Sequence, residues 1–437
     1  MLDVVRKTWP LLFGIGLLMI GNGLQGSLLG VRGEIEGFST ATMSLVMSAY
    51  FAGFLVSSLI TPKLIGRVGH VRVFAALGSF ISAVLILYPS LTEPWAWIAL
   101  RALIGFCFCG VYITAESWLN NMTTTATRGR ALSLYMIVQM AGIVTAQGIL
   151  SLGDPSGFIL FIIPSVLVSL SFAPILLSVE PTPAFETTKN MSLRTLFRTS
   201  PTGVTGMFLM GGIFSAQFGM SAVYATRAGF TLSELSLFVA VIFVGGVVLQ
   251  YPIGWLSDRM DRRLLIVACA AGGGLMALLG LFFPASLSAI LVAGFFMGGL
   301  SNPIYALLIA YVNDHIDYED MAAASGGLLF VNGFGAVLGP IAVGAALDVA
   351  GPSGFWLFVL VLFAVMTGYV AYRMTVRTAP VAEDTASYQT VFPTASPAIF
   401  DAAPEFYDTP DAEAEDTAAE TPAGGATLAY GATQERP

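Results

Sequence analysis

About twelve stretches of roughly twenty apolar residues, separated by short polar connections, constrain this chain more than any other feature. A helix needs about twenty apolar residues to cross the hydrocarbon core of a bilayer. On that ruler spans fall near 9–31, 41–61, 73–92, 95–119, 131–152 and 157–178. A second set falls near 201–226, 234–256, 263–283, 286–312, 324–350 and 354–376. Only 11% of the 437 residues are charged, against roughly 25% in soluble domains. The expected class is therefore an all-α, polytopic membrane protein. No small-residue cleavage site follows the first span, which begins near Trp9; it reads as a signal-anchor span rather than a removed signal peptide. Cys107, Cys109 and Cys269 each sit in an apolar run at no metal-ligand spacing and are expected to be buried free thiols.

Basic residues fix the expected orientation. Arg6, Lys7, Lys63, Arg67, Arg72, Arg128 and Arg130 fall on one side, joined by Lys189, Arg194, Arg198, Arg259, Arg262, Arg263, Arg373 and Arg377. The other side holds little beyond Arg32 and Arg227. The positive-inside rule makes the first side, with both termini, cytoplasmic, in the cell (inner) membrane. The loop Asn313–Asp320 falls on that side yet is acidic; acidic residues carry little topogenic weight. The chain divides into residues 1–179, a linker at 180–200, residues 201–377 and a tail at 378–437. Ala, Thr, Pro, Asp and Glu dominate the tail, which reads as a disordered acidic extension.

One short stretch breaks the apolar pattern between the eighth and ninth spans: Gly254-Trp255-Leu256-Ser257-Asp258-Arg259-Met260-Asp261-Arg262-Arg263. So dense a set of charges marks an exit from the membrane. A degraded copy runs from Pro62 to His70, an offset of 192 residues. The same offset lays Gln25 on Gln217, Gly37-Phe38-Ser39 on Gly229-Phe230-Thr231, Gly53 on Gly245 and Arg67 on Arg259. With one residue of drift, Val138-Gln139 falls on Val331-Asn332 and Gly142 on Gly335. The chain is thus one six-span unit written twice.

The pattern Gly-x-Leu-x-Asp-Arg-x-x-Arg-Arg resembles the loop signature of the major facilitator superfamily, and the resemblance covers roughly residues 9–376. It implies two pseudo-symmetric six-helix bundles with a substrate site between them near the bilayer midplane. Arg101, Gly105, Glu116, Arg128-Gly129-Arg130 and the Gly333–Pro340 stretch resemble a bacterial branch close to sugar and drug efflux transporters. Two departures matter. Gly66 stands where the first loop of the family usually has aspartate, and the first helix lacks the acid of many proton-driven exporters. In the eleventh span, Gly333, Gly335, Gly339 and Pro340 resemble the antiporter signature that exporters carry in helix five. A close-packing glycine face is the alternative reading.

Counting inward from the span ends places Asn22 and Gln25 near the middle of the first helix, and Gln217 at the matching place in the seventh. Gln139 and Asn332 form a second symmetric pair, and Asn302 and Tyr305 follow the same logic in helix ten. Amides suit a neutral or zwitterionic polar solute without the cost of a buried charge; interhelical hydrogen bonding is the alternative for each. Arg101, in the outer part of helix four, is the candidate for an anionic substrate group, or else an interfacial arginine snorkelling to water. Glu116, fifteen positions further on, lies about 22 Å away along a helix and cannot pair with it. The resemblance to sugar porters assigns Glu116 to a cytoplasmic gate with Arg128 and Arg130; proton binding is the other reading. Gly254, Asp258, Arg259 and Arg263, with Arg67 from the first copy, complete the expected gate.

His70 and His315 are read as loop residues outside any ligand spacing, so neither an enzyme nor a metal site is expected, and no cofactor. Two non-identical halves fit an ion channel poorly, and nothing points to nucleic acid. The expected function is secondary transport of a small organic solute, as proton-coupled efflux by antiport; the partners are that solute, protons and the lipid bilayer, and the protein acts as a monomer. A passive uniporter, an importer of a sugar-like metabolite, or a non-transporting sensor or scaffold remain as alternatives. Asp258→Asn is expected to cut transport while expression stays near normal, which flux measured at several solute concentrations checks.

Overall fold

The computed structural model describes residues 2–123, 125–176, 191–316 and 320–376. The expected tail, residues 180–190 of the expected linker, and Asp317–Glu319 of the acidic loop lie outside the described residues. The long helices are α1 (Leu2–Ile35), α2 (Thr40–Val68), α3 (His70–Leu87), α4 (Pro94–Asn121), α5 (Thr125–Leu152) and α6 (Ile159–Leu176). They continue with α7 (Pro201–Arg227), α8 (Leu232–Ser257), α9 (Arg262–Phe282), α10 (Leu287–Asn313), α11 (Met321–Ala350) and α12 (Ser353–Val376). Eleven are long and apolar enough to cross a membrane, and α6 is the shorter one. The end of the expected linker is not irregular: Leu193–Thr199 is a short helix whose N-cap, Ser192, accepts from the Thr195 amide. His70 is not a loop residue either. It opens α3, buried, with Nε2 3.0 Å from the Ser117 hydroxyl.

The two halves are built alike. In the first, α1 packs on α5 and α6, α2 on α4, and α3 on α4 and α6. In the second, α7 packs on α11, α8 on α10, and α9 on α10 and α12. The halves meet through α2 with α11, α5 with α8, and α1 with α7. Side chains such as Phe13, Leu59, Val248 and Val361 are exposed around the outside, as lipid-facing positions must be.

The repeated residues have repeated jobs. Gly37 and Gly229 end α1 and α7 at φ 75° and 80°, a backbone conformation that side chains with a Cβ rarely adopt. Ser39 then caps α2 by accepting from Thr42. Thr231 caps α8 in a full capping box with Glu234, satisfying amides that hydrocarbon would leave orphaned. Between cap and glycine sits a phenylalanine packed edge-on, Phe38 against Trp97 and Phe230 against Tyr224.

Close backbone approach accounts for the other glycines. A Cβ on Gly53 would overlap the Ala102 carbonyl, and one on Gly105 the Tyr50 carbonyl, so α2 and α4 touch main chain to main chain. Gly245 against Phe295 and Gly298 against Ile242 repeat this between α8 and α10. Helices already in lipid gain little from burying apolar surface and associate through such packing. Gly53→Leu is expected to forfeit this contact and destabilise the protein by at least about 1–3 kcal/mol. Gly66→Ala, with open space around its added Cβ and a place inside α2, should hold or slightly raise the melting temperature in detergent.

Candidate functional site

A cavity of about 110 Å³ lies between the halves, against the roughly 10–15 Å³ that one water requires. Asn22, Gln25, Arg101, Gln139 and Asn332 line it, so five of the eight expected substrate residues meet in one place. A hydrogen-bonded chain runs along its first-half wall. Asn22 Nδ2 donates to the Tyr112 hydroxyl at 2.7 Å, and Gln25 Nε2 donates to Asn22 Oδ1 at 3.0 Å. Arg101 Nη1 in turn donates to Gln25 Oε1. The guanidinium also reaches the Met47 sulfur at 3.4 Å and lies 4.8 Å from the centre of the Tyr50 ring. At 3% exposure Arg101 is a cavity residue and not an interfacial arginine reaching for water. Asn332 Nδ2 donates to the Met207 carbonyl at 3.1 Å.

The other three lie elsewhere. Gln217 is buried against α10, exchanging hydrogen bonds of 3.1 Å with Ser301. Asn302 fills the notch left by Gly246, with Oδ1 unpartnered. Tyr305 is fully buried with its ring 6.0 Å from Phe214. A π-helical turn, Ala216–Met220, interrupts α7 and carries Gln217 to Ser301 and Phe218 to the cavity; such turns gather at functional sites. The sequence reading missed Tyr50, Tyr112 and Gln147, and the aromatic wall of Phe51, Phe54, Phe214, Phe218 and Phe243. Tyrosine and phenylalanine in a membrane helix carry no signal separating cavity from lipid.

The family model of the Major Facilitator Superfamily matches residues 11–248 and 223–399. The chain belongs to the Major Facilitator Superfamily. It is a multi-pass membrane transporter of that family, not an enzyme. It is similar to the uncharacterised MFS-type transporter YcaD of Escherichia fergusonii, at 26% identity over 77% of this chain and 87% of the relative. The YcaD of Escherichia coli O45:K1 is 27% identical over the same shares. Among solved structures, a variant of the nucleoside transporter NupG superposes at TM-score 0.70, with 14% identity, covering 85% of this chain and 99% of the other. A variant of the E. coli fucose:proton symporter FucP does so at 0.56, with 15% identity and the same coverage.

The superfamily loop lies at the side of the molecule bearing both ends of the helical chain. Gly254 is buried in the last turns of α8, whereas Asp258, Arg259, Arg67 and Arg130 are exposed. Arg259 lies over the Trp255 ring at 4.1 Å and donates to its carbonyl. Arg263 pairs with Asp261 at 2.9 Å. Burial works against ionisation of Asp261, yet the hydrogen bonds and charge of Arg263 hold its carboxyl below the usual carboxylate range. A pair the sequence did not single out joins Arg262 to Asp314, both almost fully buried; the acidic loop thus begins by neutralising a buried arginine. Glu116 is completely buried and accepts from the Tyr135 hydroxyl at 3.2 Å. The side chain of Arg128 lies outside the described residues.

On the opposite side Arg227 reaches Glu34 at 3.6 Å, with both side chains exposed. Asp314→Ala is expected to lower stability by about 3 kcal/mol, the cost of stranding a buried charge. Arg227→Ala should cost under about 1 kcal/mol. Thermal unfolding of the two variants side by side checks the ranking.

Proposed function

We propose that this transporter exports a small organic solute from the cell by alternating access, in exchange for protons. The observation that carries the reading is the central cavity, walled by α1, α2, α4 and α5 of one half and α7, α8 and α11 of the other. A solute held there touches both halves, so rocking one against the other changes the side from which it is reached. The halves are drawn together away from the chain ends: a Cβ on Gly30 would press on Ala222, one on Gly344 on Ser44, and Ser48 donates to the Val337 carbonyl. With the basic side taken as cytoplasmic, this is a state closed toward the outside of the cell membrane, both termini inside.

Glu116 is the residue we assign to proton coupling. It is a carboxyl fully buried among the helices toward the cytoplasmic end of α4, hydrogen-bonded to Tyr135 of α5, where uptake or loss of a proton changes the local charge. The export direction draws on the resemblance of the glycine-rich stretch of α11 to the antiporter signature, although Gly335 and Gly339 also pack closely on Phe208 and Ser215 of α7. A second reading, proton-linked or passive uptake of a sugar-like solute, draws on the fold neighbours, one titled a nucleoside transporter and one a fucose:proton symporter. Solute flux into everted vesicles, with and without a proton ionophore, tests the proposal. Accumulation that collapses with the ionophore supports coupled export, and unchanged accumulation rejects coupling. Gly344→Trp is expected to wedge the outer seam open and reduce net flux at least tenfold, with the protein still folded by size-exclusion chromatography.

A further inference from the structure

The cavity wall is chemically lopsided. The first half supplies the cation of Arg101 and the amides Asn22, Gln25, Gln139 and Gln147, against Asn332 alone from the second half. Phenylalanines line both sides: Phe51 and Phe54, and Phe214, Phe218 and Phe243. Arg101 is the one charged residue lining the cavity among the described residues, and no carboxylate lines it. Among the described residues the groups around the guanidinium are neutral: an amide oxygen, a thioether, the Tyr50 ring and the Tyr88 hydroxyl. Its Nε is buried without a hydrogen-bond partner. A guanidinium has five N–H donors and matches a carboxylate with two parallel bonds. A buried charge at membrane depth is costly until it meets a counter-charge. Half of an ion pair is therefore built into the protein.

We propose that the solute supplies the other half: a small organic monoanion, a carboxylate on an aromatic or comparably flat apolar body. The carboxylate sits on Arg101, and the body lies between Phe54 of α2 and the Phe218–Phe243 pair, whose rings are 4.9 Å apart. One cation fixes the charge of the solute at one. A neutral solute would leave Arg101 uncompensated, and a dianion would bring a second charge with no cation to meet it. Five phenylalanines line the cavity, and they favour an aromatic body over a sugar ring. The inference rests on the transport reading only in taking this cavity as the solute site.

Phenylacetate and its uncharged counterpart phenylacetamide separate the possibilities on the purified full-length protein. Phenylacetate is expected to raise the melting temperature saturably, while phenylacetamide at equal concentration does not. Arg101→Lys, which keeps the charge but loses the planar fork, should weaken phenylacetate about tenfold, and Arg101→Gln should abolish its effect. Should Arg101→Gln fail to fold, the acid–amide comparison on the wild-type protein decides alone. Equal shifts from acid and amide, no shift from either, or undiminished acid binding in Arg101→Gln overturns the proposal. Counterflow in proteoliposomes keeps the two readings apart. Acid binding without counterflow refutes transport and leaves the anion site standing. Counterflow of a neutral solute that phenylacetate does not inhibit refutes the anion site and leaves transport standing.

Discussion

Hydrocarbon offers no hydrogen bond to a peptide group, and the rest of this structure depends on that constraint. Each span has to satisfy its own amides, so each is a helix, and helices already in lipid gain little by hiding apolar side chains from water. What remains is close contact. Gly53 and Gly105 bring α2 and α4 together at their backbones, and Gly245 and Gly298 do the same for α8 and α10. These two crossings join helices of each half main chain to main chain, as a half that moves as one body in the proposed cycle requires.

The same constraint explains why so much of the fold was legible in the sequence. Span length is dictated by bilayer thickness, so counting apolar residues located every long helix. Most ends fall within about four residues, and the largest misses, seven residues, are where α1 begins at Leu2 and α2 runs on to Val68. The turn chemistry at Gly37-Phe38-Ser39 and Gly229-Phe230-Thr231 is local, because a positive φ, a packed ring and an N-cap are all settled within a few residues. Local rules survive duplication, and their survival exposed the repeat. The short helix at Leu193–Thr199 escaped notice because its seven residues, with two arginines and Pro201 close behind, look like any polar connection.

The site was only half legible, for a reason the duplication itself supplies. At the 192-residue offset Asn22 falls on Phe214, Gly26 on Phe218, Ser27 on Gly219 and Phe51 on Phe243, and both members of every pair line the cavity. With one residue of drift Gln139, Met140 and Ile143 fall on Asn332, Gly333 and Ala336, again all cavity residues. Backbone positions have kept their symmetry while side-chain chemistry has not. Reasoning from matched amides therefore found Gln139 with Asn332 but misled for Gln217, whose partner Gln25 serves Arg101 while Gln217 itself turns through a π-helical step to Ser301. Nothing near Gln217 in the sequence names Ser301, 84 residues away. The neutral surroundings of Arg101 were equally invisible, because they come from α1 and α2 rather than from its own helix.

A seam that must open repeatedly cannot be packed like a core. Where the halves meet away from the chain ends, the contacts include Gly30 near Ala222, Gly344 near Ser44, and the Ser48 hydroxyl on the Val337 carbonyl. Small residues let main chains approach closely enough to exclude solute, yet each buries little surface, so parting them costs little. An ion pair across this rim, Glu34 with Arg227, is exposed and of the kind worth at most about 1 kcal/mol. The buried ion pair of the second half, Arg262 with Asp314, joins the start of α9 to the end of α10 and never crosses the seam. Between these two pairs, the buried one lies within a half and the exposed one bridges the halves. On the proposed alternating-access reading, that arrangement would let a solute in the cavity tip the balance between closed and open with a few kcal/mol of its own binding energy.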